Sequence, residues 1–223
     1  MNFDLKICGL KTPEAVSAVL DGGATHIGFI FFPKSPRHVS VEEAGRLRMA
    51  AQGRAQVVAV TVDADDDYLT EIVSHVRPDI LQLHGQETPE RVKLLKERFG
   101  LPVIKAFAIR NFDDLEAIKP YKGIADRFLF DAKPPKGSEL PGGNGVSFDW
   151  ELLTKLDGDV DYMLSGGLNA GNIAQALVQT GAQAIDVSSG VEARAGEKDV
   201  RLIEEFLQAA GEARAMAASQ AKS

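Results

Sequence analysis

The chain has 223 residues, 44% hydrophobic and 26% charged, which excludes disordered, collagen-like and fibrous classes and leaves one large domain or two small ones. Its 25 Lys plus Arg against 32 Asp plus Glu give a formal charge of −7 without any block of basic residues, so no nucleic-acid or anionic-membrane partner is expected. No apolar run approaches the roughly 20 residues that span a bilayer. A single cysteine, Cys8, excludes an intramolecular disulfide and a Cys-based zinc site. The opening MNFDLKICG has no basic stretch leading into an apolar one, so the expectation is a cytoplasmic protein without a signal peptide.

Short apolar runs alternate with segments of helical period along almost the whole chain. Strands are expected at 5–8, 26–32, 56–62, 80–84, 103–108, 127–131, 162–165 and 184–188, and helices at 13–20, 41–51, 66–76, 89–99, 112–119, 150–156 and 170–179. Thr12-Pro13 and Thr88-Pro89 each pair a capping hydroxyl with a proline whose missing N–H costs nothing at the first helical position. Ser40 with Glu43 has capping-box spacing, and Gly22, Gly100 and Gly181 stand where a left-handed residue ends a helix. About 28 residues per strand–helix unit and no linker or composition break point to an α/β fold, a single-domain (β/α)8 TIM barrel over residues 1–210. The Ala-rich tail 211–223 is expected to fray. An open doubly wound sheet has the same local alternation, but no G-x-G-x-x-G follows the first strand.

In such a barrel the functional groups sit at the C-terminal ends of the strands. The polar residues expected there are Cys8, the segment 34–37 ending in Arg37, Asp63, Gln82, His84, Asp131, Ser165-Gly166-Gly167, and Asp186 with Ser188-Ser189-Gly190. The last two groups carry a phosphate signal, because small residues let backbone N–H groups approach an anion and a short helix expected over 191–195 adds partial positive charge. Gly166 and Gly167 supply one arm; Ser188, Ser189 and Gly190 supply the other. The plainer alternative is that these are turn residues with no ligand.

Seven motifs in chain order resemble the phosphoribosylanthranilate isomerases of tryptophan biosynthesis. They are KICGL at 6–10, GFIFFPKSPRHVS at 28–40, QLHG at 82–85, LFDA at 129–132, GGNGVSFDW at 142–150, LSGGLN at 164–169 and IDVSSGVE at 185–192. Asn144 departs from the small hydroxyl residue expected in the G-x-G-type loop. The resemblance implies a cofactor-free and metal-free Amadori rearrangement of N-(5-phosphoribosyl)anthranilate, an aminoaldose, to the 1-deoxyribulose phosphate, an aminoketose. It implies a phosphorylated small-molecule substrate, with Asp131 as the acid that opens the furanose ring and Cys8 as the base that takes the proton from carbon two. It also supports a bidentate contact from Arg37 to the anthranilate carboxylate. A homodimer is compatible with it, as are a monomer and a fused form.

Each assignment has a plainer alternative. Cys8 reads equally as a small buried hydrophobe, Asp131 as a helix-capping or structural carboxylate, and Arg37 as a solvated loop residue. His84 is a ligand contact or a satisfied strand-end histidine, and Asp186 either orients the substrate amine or fixes its loop. Gln82 reads as a barrel-interior hydrogen-bonding residue, and Asp63 as the cap of the acidic helix start at 65–67. The proline- and glycine-rich stretch 133–147 is expected to fold over the substrate beside Asp131; the alternative is a surface insertion. The rival functions are the histidine-pathway aminoaldose isomerase, which carries an aspartate where Cys8 stands, a metal-dependent sugar-phosphate epimerase, and a non-catalytic sugar-phosphate-binding barrel.

Overall fold

Every second residue of a strand faces the same way, and here both faces are apolar, so each strand is buried on two sides. The computed structural model, which describes residues 3–133, 142, 143, 145 and 147–220, arranges eight such strands in a closed barrel. They are β1 (Asp4–Cys8), β2 (His26–Phe31), β3 (Gln56–Thr61), β4 (Ile80–Leu83), β5 (Val103–Ile109), β6 (Arg127–Ala132), β7 (Tyr162–Leu164) and β8 (Ala184–Val187). They pair in parallel in chain order, and β1 closes on β8 in register from Asp4↔Ala184 to Ile7↔Val187. One parity, including Ile7, Ile27, Phe29, Leu81, Phe130 and Ile185, packs into the shell of helices. The other, including Val58, Val60, Ile80, Ile104, Leu129, Met163 and Ala184, forms a separate cluster that fills the barrel.

The helices start where side chains can take the first free N–H groups. Thr12, Ser40, Asp65 and Thr88 cap α1 (Pro13–Asp21), α2 (Val41–Ala51), α3 (Asp66–Val76) and α4 (Pro89–Phe99) through the N–H groups of Ala15, Glu43, Tyr68 and Arg91. Asn111 and Asp114 form a reciprocal capping box on α5 (Phe112–Glu116). Gly100 and Gly181 are left-handed C-caps, as expected, but Gly22 is right-handed at φ −76°.

Several expected elements change form. The helix expected over 112–119 ends at Glu116 and resumes as a 3-10 turn over Lys119–Tyr121, because Pro120 has no N–H with which to continue an α-helix. Segment 150–156 is 3-10 over Trp150–Lys155. The helix expected from 170 begins later, as α6 (Ile173–Thr180), because the Asn169 and Asn172 side chains take the N–H groups of Gly171 and Asn169 in a local turn. The short helix expected over 191–195 is instead a 3-10 turn, Ser189–Val191, running into the hairpin β9 (Glu192–Arg194) and β10 (Glu197–Lys198). The last helix, α7 (Val200–Gln220), continues through residues expected to lie in a fraying tail. Of the stretch 133–147, residues 134–141, 144 and 146 lie outside the described residues, so the expectations for a covering loop and for Asn144 fall there.

Candidate active site

The C-terminal ends of the strands open into a cavity of about 740 Å³, including its mouth. Cys8, Arg37, His84, Asp131, Gly166, Gly167, Asp186, Ser188 and Ser189 all line it, which brings together candidates from six strands and their loops. Ile30, Phe32, Val60 and Val62 give it an apolar wall. Gly190 does not line the cavity. Its missing side chain lets the β8 loop lie against the β7 loop, since a Cβ there would sit 1.8 Å from the Leu168 carbonyl oxygen.

On the β1 and β8 side, Cys8 is buried and unbridged. Two residues back on the same face, Lys6 is wholly buried, with Nζ 2.8 Å from Asp186 Oδ1. The Ser165 hydroxyl donates to the other Asp186 oxygen at 3.2 Å. Burial pushes the Cys8 thiol up, the Lys6 ammonium pulls it back, and Asp186 pushes it up again; the thiol is the resting form. Burial works against the Lys6 charge, but Asp186 and Cys8 outweigh it and hold the ammonium above its ordinary range. Asp186 is thus engaged by protein on both oxygens, which favours the expectation of a residue that fixes structure over one that orients a substrate amine.

On the β4 and β6 side, Asp131 accepts from the Ala132 N–H at 2.8 Å and stands 3.7 Å from His84 Nε2, beyond a hydrogen bond. Burial, followed by the charge of Asp186, raises its carboxyl to about 7, although the N–H groups of Ala132 and Gly143 and the charge of Lys6 oppose the rise. Burial and then Lys105 lower His84 to about 4, so the ring is neutral near pH 7 and its contact with Asp131 is not an ion pair. The Gln82 amide lies 3.2 Å from His84 Nδ1; with the amide donating there, the ring proton sits on Nε2, facing Asp131. Gln82 Oε1 is buried without a hydrogen-bond partner among the described residues.

Arg37 is nearly inaccessible, and its fork is already matched: Nε and Nη2 each donate to Glu192 at 2.8 Å, and Nη2 also donates to the Gly143 carbonyl at 3.1 Å. The bidentate face expected to meet a ligand carboxylate is therefore taken by the protein. Glu192 also accepts from Lys198 Nζ at 2.7 Å, and Lys198 donates onward to the Ser188 carbonyl at 2.8 Å. Ser188 Oγ in turn donates to the Cys8 carbonyl at 3.1 Å. Burial works against the Glu192 charge, but Arg37 and Lys198 outweigh it and hold its carboxyl below the usual range.

Gly167 has φ +65° and Gly166 φ +89°, and a Cβ on Gly166 would meet the Ala132 nitrogen at 2.6 Å; only glycine lets this loop pass so close to Asp131. Ser189 and Gly190 open a single 3-10 turn, whose first N–H groups have no partner within the turn.

Asp63 is not the cap of α3, a role taken by Asp65. It holds the β4 loop instead, accepting from the Gln86 N–H at 2.6 Å. Lys6, Glu192 and Lys198 were not singled out from the sequence. The signal available for Lys6 was its place at an inward position of an otherwise apolar strand; Glu192 and Lys198 need the hairpin that residue types did not suggest. Among the described residues, no group of three or more His, Cys, Asp or Glu is placed to hold a metal ion. No described helix is long and apolar enough to cross a membrane.

Comparison with known proteins agrees over almost the full length. The family model for N-(5'-phosphoribosyl)anthranilate (PRA) isomerase matches residues 5–209. A curated relative from Brucella canis, an N-(5'-phosphoribosyl)anthranilate isomerase, is 74% identical over 215 residues, covering 96% of this chain and 97% of its own. Among solved structures, phosphoribosyl anthranilate isomerase from Thermotoga maritima superposes with a TM-score of 0.85 at 34% identity, over 94% of this chain and 99% of that one. A phosphoribosyl anthranilate isomerase in complex with reduced 1-(o-carboxyphenylamino)-1-deoxyribulose 5-phosphate superposes with a TM-score of 0.82 at 32% identity, over 94% and 99%.

Proposed function

The chain belongs to the N-(5'-phosphoribosyl)anthranilate isomerase family, and from that premise we propose how its own residues carry out the rearrangement. The enzyme is an aldose–ketose isomerase that converts N-(5-phosphoribosyl)anthranilate to 1-(2-carboxyphenylamino)-1-deoxyribulose 5-phosphate in tryptophan biosynthesis. Asp131 is the acid. Its proton goes to the furanose ring oxygen as the bond from that oxygen to carbon one breaks, leaving a hydroxyl and an iminium between carbon one and the anthranilate nitrogen. Cys8, as thiolate, is the base. It takes the proton on carbon two; the C–H electron pair becomes the bond between carbons one and two, and the iminium pair returns to nitrogen. The resulting enaminol loses its hydroxyl proton and gains one at carbon one, giving the aminoketose with no net change in atoms.

The observation that carries this reading is that Asp131 and Cys8 line one cavity and that the Asp131 carboxyl is raised to about 7, which keeps a proton on a carboxylic acid near neutrality. Support for phosphate at the other end comes from the glycine arm at 166–167 and the turn at 188–190. The anthranilate ring is assigned to the wall of Ile30, Phe32, Val60 and Val62. Because Glu192 occupies the Nε side of Arg37, the carboxylate is assigned to the outer edge of the guanidinium, through Nη1. His84, neutral, is assigned to a substrate hydroxyl. A reducing, cytoplasmic setting suits a thiol that works unbridged.

The test is turnover followed by the fluorescence of the anthranilate ring. Cys8→Ala and Asp131→Asn are each expected to lose about 10² to 10⁴ of kcat. Near-normal turnover in either variant contradicts its assignment.

A further inference from the structure

Strand β1 carries three ionisable side chains on one parity, Asp4, Lys6 and Cys8, and the mechanism above uses only Cys8. Lys6 is wholly buried, although a lysine seldom is unless it is paired. Its backbone stands in register with Asp186 on β8, so the 2.8 Å ion pair between them is a direct cross-strand contact that closes the barrel seam. Cys8 stands opposite Gly28 on β2. A Cβ on Gly28 would lie 2.9 Å from Cys8 Sγ and 3.2 Å from Lys6 Cε, so the glycine opens a lane in which the sulfur and the lysine stem lie side by side.

We propose that Lys6 is a positioning residue for proton abstraction: its ammonium, fixed by Asp186 beside Cys8, is the counter-charge against which the thiolate forms inside the barrel. The proposal rests on Cys8 being the base. Lys6 keeps its proton throughout; only the sulfur gains and loses one. The other charged groups around Cys8 come from every neighbouring element. Asp186 of β8 opposes the thiolate, and Lys198 of β10 favours it more weakly than Lys6 does, with Glu192 of β9 on its ammonium. Arg37, after β2, packs on Gly9 and is matched by Glu192. Asp131 and His84 line the same cavity from β6 and the end of β4. Of the cations, Lys6 pulls the thiol down most strongly, ahead of Lys198.

Cys8 is the only cysteine of the chain, so the rate of alkylation by iodoacetamide as a function of pH reads this thiol alone in the intact protein. Lys6→Met is expected to move the alkylation midpoint up by at least about one pH unit, and Asp186→Asn to move it down. Lys6→Arg is expected to stay near the parent. In turnover, Lys6→Met is expected to lower kcat about tenfold or more at neutral pH, with recovery at higher pH and KM within about threefold. A role in structure alone moves both midpoints the same way, because both variants break the same buried pair. An unmoved midpoint in Lys6→Met, or shifts of the same sign in both variants, overturns the proposal. If Lys6→Met fails to fold, Asp186→Asn decides from the other side, and a midpoint that does not fall is contrary. Loss of turnover in Cys8→Ala with an unmoved midpoint in Lys6→Met defeats the Lys6 assignment and leaves the base standing. Retained turnover in Cys8→Ala defeats both.

Discussion

Both sides of the cavity favour the proton through burial, but they differ in what is set against it. Around Cys8 the barrel supplies cations, Lys6 foremost and Lys198 after it, that offset part of the burial. Around Asp131 it supplies burial and a second carboxylate, which favour the proton, and a histidine that stays neutral and so sets no positive charge against it. One buried carboxylate, Asp186, links them: its charge pushes up both the thiol and the Asp131 carboxyl, while its pairing holds Lys6 in place. The difference teaches how a barrel with a net charge of −7 handles acid and base chemistry a few side chains apart. Desolvation acts on both sides, and Lys6 opposes it on both, as the largest influence after burial at Cys8 and as the least at Asp131.

The contrast has a cost in stability on the acid side. The folded Asp131 carboxyl titrates at about 7, against roughly 3.9 in an unfolded chain. Between those values the native state holds a proton that the unfolded state has lost, so stability falls as pH rises from about 4 to about 7 and is level above. Asp131→Asn removes that penalty and keeps an oxygen for the Ala132 N–H. It is expected to stabilise the protein by at most about 4 kcal/mol above pH 7 and by nothing below pH 4, as read by urea melts at the two extremes. Equal effects at both pH values would erase the distinction between the two sides.

A smaller effect sharpens the contrast from the third corner of the site. Glu192 holds Arg37 and Lys198 together, and Lys198 in turn holds the Ser188 loop. Glu192→Gln keeps the shape and weakens both contacts. It is expected to raise KM about tenfold, equivalent to about 1.4 kcal/mol, with kcat within about threefold. A fall in kcat at unchanged KM would move Glu192 from substrate positioning into the chemistry.

Much of the barrel is legible in the sequence because its signals are local. Apolar runs bounded by glycine and capping residues locate each strand, and the starts of α1, α2 and α4 follow from caps at Thr12, Ser40 and Thr88, whereas the sequence puts the cap of α3 at Asp63 and the structure at Asp65. Cys8 and Asp131 stand out through strand-end position and family motif. What stays hidden depends on distant partners. Lys6 is buried because Asp186 lies opposite it, 180 residues away, and no local pattern announces that pair. Glu192 and Lys198 meet only in the hairpin of β9 and β10, and the sequence suggests a short helix over 191–195 instead. Arg37 lines the cavity, and that Glu192, 155 positions on, meets its fork is not visible in the sequence.

The account depends most on a protonated carboxylic acid at neutral pH, and one measurement addresses it directly. A ¹³C NMR titration of the side-chain carboxyls, with the Asp131 signal identified by its loss in Asp131→Asn, should give a midpoint near 7 for that group. A midpoint near the ordinary carboxylate value of about 4 would leave no acid to open the ring and would contradict the proposed division of roles between Asp131 and Cys8.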